Sequence, residues 1–356
     1  IYSNILEGHM LDFNSATQGC VSPIVEATVF LLQQVTDKFL PSAIKFVYNW
    51  NMREITNVMQ GICRTTHNDY NTPCKLIRLW LHECNRVFED RLINEMDLTR
   101  FNDLLVESSK RYFSEIKVGT GANDTVEVNQ DELHQKPLIF TSFANSTTGE
   151  PIYLPVTDNE SIGSTMRTKL SEYNDANTVM DLVLFQAAVD HVCRITRILD
   201  NPCGNAMLVG VGGSCKQSLA KLATFICQFD IRQLNVSSSF KIDDLKEALK
   251  EMYIKAGVKG NSIVFMMTDA QIINDKFLVY INGILSSGWI PDLFAKDEMD
   301  GIFSGIRGEA KAAGIQDTPA ANTEFFISRV RKYLHVVLCF SPVGPRPSAL
   351  NFRVCS

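Results

Sequence analysis

Between residues 25 and 40 the chain reads VEATVFLLQQVTDKFL, with apolar residues returning every three or four positions, and Pro41 follows. That period belongs to one face of an α-helix, and proline ends it. A second stripe, Leu76, Leu79, Trp80, Val87, Phe88 and Leu92, begins after Thr72, which is placed to cap, and Pro73, which suits a first helical turn. No strand pattern of similar strength interrupts residues 1–115. They are expected to form a small helical bundle.

The turn clusters GTGAND, NSTTGEP and TDNES then surround short β-like runs, PLIFTSF (137–143) and PIYLPV (151–156). Residues 116–175 are expected to be a linker with strands leading into a second domain, residues 176–356. Helical spacing returns at Leu182, Phe185, Val189, Val192, Ile195 and Leu199 and stops before Asn201-Pro202. Strands and helices then alternate. AMLVGV (206–211), DIRQLNV (230–236), NSIVFMMTD (261–269) and LHVVLCFSP (334–342) read as strands. SLAKLATFIC (218–227), DDLKEALKEMYIKAG (243–257, closed by its glycine) and KFLVYINGILSSG (276–288) read as helices. Apolar strands separated by helices imply an α/β fold, a parallel sheet covered on both faces. Ligands of such sheets sit at the carboxyl ends of the strands. KDEMDGIFSGIRGEAKAAG (296–314) reads as a solvated excursion before the last strand.

Composition narrows this little. The 356 residues suffice for two or three domains at about 100–200 residues each. A net charge of -6 argues against a nucleic-acid binder, which carries a basic patch or stripe. The 10 cysteines are scattered without a C-x-x-C pair, as expected of free thiols in a reducing compartment. No apolar run is expected to reach the ~18–20 residues that span a bilayer, so no membrane partner is expected. IYSNILEGHM lacks the features of a signal peptide, and without an initiator Met the chain reads as a fragment of something longer. His82-Glu83-Cys84-Asn85-Arg86 places Arg86 where a zinc helix needs its second histidine, so His82, Glu83, Arg86, Asp90 and Arg91 are read as an ion-paired structural face.

The candidate chemistry lies in GVGGSCKQS, residues 210–218. It follows a strand and opens a helix, where backbone N–H groups and the helix dipole converge on an anion. The spelling approaches the phosphate loop G-x-x-x-x-G-K-[ST], with Lys216 reaching the β- and γ-phosphates and Gly210, Gly212 and Gly213 letting the backbone approach closely. Cys215 stands in place of the second glycine and Gln217 in place of the hydroxyl residue that reaches the metal. IVFMMTD supplies an apolar strand ending in Asp269, which could help hold Mg²⁺ or polarise a water. A rival reading is the dinucleotide fingerprint G-x-G-x-x-G, with Gly210, Gly212 and the later acid Asp230, which Cys215 also breaks. A third takes the glycines as merely turning the chain.

The run DLVLFQAAVDHVCRITRILDNPCGNAMLVGVGGSCKQSLAKL (181–222) closely resembles the fourth AAA+ module of axonemal dynein heavy chains, whose loop reads GVGGSGKQS. By that resemblance Gln217 is a family trait and Cys215 a departure. IVFMMTDAQI (263–272), NGILSSGWIPDLF (282–294) and LHVVLCFSPVG (334–344) resemble the same module. YNWNMREITNVMQGI (48–62) and RLWLHECNRVFEDRL (78–92) resemble the small helical subdomain of the third. The tail GPRPSALNFRVCS departs from the family.

The resemblance implies an all-α lid subdomain in residues 1–115, followed by the P-loop NTPase large subdomain of the next AAA+ module. It implies ATP or ADP with Mg²⁺ as cofactors, held by Gly210, Gly212, Gly213, Ser214, Cys215, Lys216, Gln217 and Ser218. Leu182 and Val183 would pack the adenine. Thr268 and Asp269 stand where AAA+ proteins usually carry an Asp-Glu pair, as metal ligands, with Asp269 as a general base one methylene too short. Ser341 takes the position of the sensor asparagine, and Arg53 would sense the nucleotide of a neighbouring site. The implied setting is the microtubule motor ring of a cilium or flagellum axoneme. Its implied partners are other AAA+ modules of the same chain, microtubules, and intermediate and light chains. Two functions follow as alternatives: a regulatory nucleotide-binding module with weak or no hydrolysis, or a nucleotide-free structural ring element because of Cys215 and Thr268.

Overall fold

In the computed structural model, which describes residues 1–117, 125–144, 151–236, 240–341 and 353–355, the chain divides into two units, Ile1–Thr165 and Met166–Ser356. The first unit carries helices Tyr2–His9 (α1), Ser15–Gln18 (α2), Val21–Lys38 (α3), Met52–Ile62 (α4), Pro73–Val87 (α5) and Glu95–Tyr112 (α6). The three-and-four spacing of α3 puts Ile24, Ala27, Leu31 and Val35 on a buried face against α4, α5 and α6. Trp80 of α5 is buried there too, its indole N–H donating to Thr28 Oγ1 at 2.8 Å. Thr72 precedes α5 in extended conformation, yet its hydroxyl makes no cap bond, and Pro73 alone marks the start.

The stretch Ser15–Lys38 has a mean hydropathy of 1.2 and is long and apolar enough to cross a membrane, against the sequence-based expectation. Its inward face is occupied by the bundle: 44% of the apolar window is buried, as in the core helix of a folded domain.

The segment expected as a linker folds onto this unit. Glu115–Lys117 (β1) and Thr125–Glu127 (β2) form an antiparallel pair, Gln130–Leu133 (α7) follows, and Phe140–Thr141 (β3) pairs antiparallel with Leu154–Pro155 (β4). Phe140 and Tyr153 are buried in the bundle core. Of the residues read as an ion-paired face, Arg86 pairs with Asp90 at 3.2 Å, while Arg91 reaches across to Glu54 of α4. His82 and Glu83 turn inward instead. Tyr153 O–H donates to Glu83 Oε1 at 2.8 Å, and the two nitrogens of His82 bond Tyr153 Oη at 3.0 Å and the Leu138 carbonyl at 3.1 Å. A buried carboxylate is tolerated because it is hydrogen-bonded.

Helix Asn159–Ala176 (α8) crosses the boundary between the units. The second unit then reads Gln186–Asp200 (α9), Ala206–Val209 (β5), Lys216–Ile226 (α10), Asp230–Gln233 (β6), Ile242–Tyr253 (α11), Ile263–Thr268 (β7), Lys276–Ser286 (α12), Lys296–Ala312 (α13), Pro319–Tyr333 (α14), Leu334–Phe340 (β8) and Arg353–Cys355 (β9). The sheet order is β6-β7-β8-β5-β9. The first four strands are parallel, with Met267 opposite Leu338 and Leu208 opposite Cys339, and β9 runs antiparallel to β5. Every residue of β7 is buried, which a strand covered on both faces requires. Ile263, Phe265, Met267, Val336 and Leu338 share one core with α11 to α14. The alternate positions face α9 and α10, which pack on each other and on β5 and β8.

Four local expectations change. Strand β6 lies at the sheet edge and is mostly exposed, so DIRQLNV is not apolar throughout. Gly257 does not cap its helix: the backbone runs on through a π turn, Ile254–Val258, and a Cβ there would lie 2.2 Å from the Phe326 ring. Gly260, at φ +68, reverses the chain instead. Residues 296–314 are no solvated excursion, because α13 buries Ile302, Ile306 and Ala310, a stripe at spacing four that its charges obscure. Finally, α9 begins at Gln186 rather than near Leu182, because its core starts at Ala188 and no buried surface rewards an earlier turn.

Two polar anchors in the buried interior are testable. On α4, a Cβ at Gly61 would stand 1.9 Å from Glu83 Oε2. Gly61→Ala is therefore expected to destabilise the first unit by about 1–3 kcal/mol, read as a lower thermal midpoint by circular dichroism. On β8, His335 Nδ1 donates to the Gly204 carbonyl at 2.7 Å, and the ring stacks on Phe229. Burial lowers its pKa below the ordinary 6.5, although the Gly204 bond and the charge of Asp200 pull the other way. The unfolded chain thus takes up this proton first. The contribution is intact above about pH 6.5 and falls as the pH drops below it, by at most about 1.4 kcal/mol per unit for one group. The thermal midpoint should decline from pH 7 to pH 5, less steeply in His335→Asn.

Candidate phosphate-binding site

Strand β5 delivers the chain to the carboxyl edge of the sheet, and there the parallel ladder continues one step into the loop: Gly210 N–H donates to the Phe340 carbonyl at 3.1 Å. The loop then turns outward. Gly213 has φ +81, and Cys215, the N-cap of α10, has φ 57 and ψ 15, a left-handed conformation. A non-glycine residue pays about 1–2 kcal/mol there. The Cys215 thiol makes no cap bond to α10 and lies 3.7 Å from the Gly213 carbonyl. A Cβ built at Gly212 or Gly213 meets nothing within 4 Å, so the rest of the fold leaves this side of the loop open.

Lys216 opens α10 and folds back over the loop. Its ammonium donates to the carbonyls of Gly210 at 2.5 Å and Val211 at 2.9 Å and to Ser214 Oγ at 3.2 Å. Ser214 itself donates its hydroxyl to Val211 O at 2.8 Å. The N–H groups of Gly212, Gly213 and Cys215 have no acceptor among the described residues, and the first-turn amides of α10 lack an intrahelical partner. This is a cradle of donors closed by one cation. A phosphate group fits it, by backbone N–H groups, helix dipole and Lys216 together.

The metal side is built differently. Thr268 ends β7 buried, and its backbone N–H donates to the side-chain oxygen of Gln271 at 2.8 Å. The Gln271 amide donates onward to the Leu234 carbonyl beyond β6 at 2.5 Å. Asp269 accepts the Ser341 N–H at 3.0 Å on one oxygen and the Ala270 N–H at 3.0 Å on the other. The Ser341 hydroxyl first, then these backbone N–H groups and nearby Lys216, hold its carboxyl below the usual range. Gln217 is exposed, its carboxamide oxygen 3.5 Å from Gln233 Nε2, and Ser218 lies one residue further along α10. No group of three or more His, Cys, Asp or Glu side chains able to hold a metal occurs among the described residues. Magnesium asks for oxygen donors in near-octahedral array. Thr268 brings no carboxylate to such an array, and Asp269 shares each of its oxygens with a backbone N–H.

Lys216, Asp269, Ser341 and the loop thus meet at one edge of the sheet. Leu182 and Val183 were expected within a helix; they lie in the extended stretch before α9, and Val183 is 77% exposed. The dinucleotide reading fails on geometry: Asp230 is the first residue of β6, at the sheet edge opposite the loop, and pairs with Lys255 at 2.6 Å. Arg53 lies in the first unit, exposed in the first turn of α4, its backbone N–H held by the Asn51 side chain at 2.8 Å. Gln271 was missed, although Thr268 followed three residues later by Gln spells a capping box. Cys339 was missed too. It is buried beside Lys216 and Asp269, its thiol pushed up to about 11 by burial, and no motif announces it.

Two family models match the chain: "P-loop containing dynein motor region D4" over residues 180–352 and "AAA+ lid domain" over residues 24–121. Among curated relatives, the flagellar outer-arm dynein beta chain of Chlamydomonas reinhardtii is 46% identical over 97% of this chain. The ciliary dynein beta chain of Heliocidaris crassispina and the human dynein axonemal heavy chain 17 are each 43% identical over 97%. The chain spans only 7% of the first relative's length and 8% of the other two. A helical lid, a parallel sheet with a phosphate loop at its carboxyl edge, and similarity along nearly the whole chain lead to one conclusion: the chain belongs to the axonemal dynein heavy-chain family and represents a stretch of its P-loop AAA+ motor region.

Proposed function

We propose that this segment is a nucleotide-binding module in the motor ring of a ciliary or flagellar dynein, binding ADP or ATP in a regulatory role with weak or no hydrolysis. The observation that carries the reading is the cradle at residues 210–218, where Lys216 and open backbone N–H groups converge at the carboxyl edge of a parallel sheet. Poor hydrolysis follows from Asp269. A general base works best with a pKa near the operating pH and a free lone pair, whereas this carboxylate is held acidic and hydrogen-bonded on both oxygens. The parent chain would work in the axoneme, on microtubules, with intermediate and light chains and the other AAA+ modules as partners. Arg53 would serve a neighbouring site of the ring.

A second reading, a ring element with an empty loop, draws on Cys215, which strains the loop, and on Lys216, whose ammonium is already satisfied by loop acceptors.

Calorimetry separates the two. Lys216→Ala removes charge-assisted hydrogen bonds worth about 1.5–3 kcal/mol, so ADP affinity is expected to fall about 10- to 100-fold. Identical heats for parent and variant would sink the nucleotide reading. If the parent gives no heat and Cys215→Gly does, the loop is a decayed site and the structural reading stands.

A further inference from the structure

The cradle offers phosphate backbone N–H donors and the Lys216 cation, while the two positions that would serve a metal carry Gln217 and Thr268. In a phosphate loop with Mg²⁺, the protein contributes a hydroxyl next to the lysine and a carboxylate at the end of the facing strand. Here the first position is Gln217, on an exposed helix face beside Gln233. The second is Thr268, buried, which brings no carboxylate and whose backbone N–H donates to Gln271. Asp269 brings a carboxylate to this edge, and its two oxygens accept from Ala270 and Ser341. A cation approaching Asp269 would have to share each oxygen with a backbone N–H already bonded to it.

The charge balance points the same way. Lys216 is the cation of the cradle, and the Asp269 carboxylate lies at the same edge of the sheet, bonded to the Ser341 N–H. A third phosphate placed between them without a metal would meet a carboxylate with nothing to bridge the repulsion. A diphosphate ending at Lys216 and the first turn of α10 avoids that contact.

We propose that the loop takes up a nucleoside diphosphate as the free anion, with no divalent cation between it and the protein. This rests on the nucleotide-binding reading above and specifies its ligand. The site holds nucleotide through Lys216, the backbone of residues 212–215 and the start of α10. Free Mg²⁺ competes for the ligand in solution rather than completing the site.

Titration calorimetry of the chain with ADP and with ATP, each in excess EDTA and in millimolar Mg²⁺, tests this. The expected result is ADP binding in EDTA that Mg²⁺ leaves unchanged or weakens, with ATP at least tenfold weaker than ADP. Tightening of ADP by tenfold or more in Mg²⁺ overturns the metal-free inference and leaves the nucleotide reading standing. ATP binding as tight as ADP overturns the diphosphate preference. No heat with either nucleotide in either buffer overturns the nucleotide reading, and this inference with it. Thr268→Asp keeps the backbone N–H that Gln271 accepts and supplies the missing carboxylate. In that variant Mg²⁺ should tighten nucleotide binding at least tenfold, its fold being checked by thermal melting. Gln217→Thr, an exposed position, gives the same test should Thr268→Asp melt early. If folded variants acquire no metal dependence, the missing donors are not the cause and the inference falls.

Discussion

Parallel pairing of β5, β7 and β8 is the constraint from which the rest of the second unit follows. Strands that run the same way deliver all their carboxyl ends to one edge. Residues far apart in sequence, Gly210, Asp269 and Ser341, therefore arrive together without any local signal linking them. The Gly210 N–H bonded to Phe340 O extends the ladder into the loop and sets the height at which it leaves the sheet. Ser341, the next residue after β8, can then reach Asp269, the next after β7. A slip of one residue in either register would turn these side chains to the opposite face.

At that edge, charges that a metal site would need have been exchanged for caps. Thr268 donates its N–H to Gln271, and Gln271 carries the network to Leu234 beyond the edge strand. Against this the loop holds a local strain, Cys215 in a left-handed conformation that glycine would adopt freely.

The first unit shows the same economy in a helical setting. Within its core Glu83, Tyr153 and His82 hydrogen-bond one another, with Arg64 4.0 Å over the Tyr153 ring. Gly61 admits the Glu83 carboxylate against α4, a close approach that any side chain would prevent. The strands β3 and β4 complete this unit because they supply Phe140 and Tyr153 to that core.

The sequence by itself determined the elements whose cause is local. The period of α3, the proline that opens α5, the largely apolar runs of β7 and β8, and the strand-loop-helix around Lys216 are all legible because short-range periodicity and steric rules dictate them. So is the fold class, through the alternation of buried strands with helices. Only the tertiary structure decided which residues those elements bring together. It put Asp230 at the wrong edge for a ribose, turned Glu83 inward, withheld a core from Leu182, gave one to Ile302 and Ile306, and spent Thr268 on a cap. The physical reason is common to all five. Burial and hydrogen-bond partnership depend on what other segments place opposite a residue, and no window along the chain contains that information.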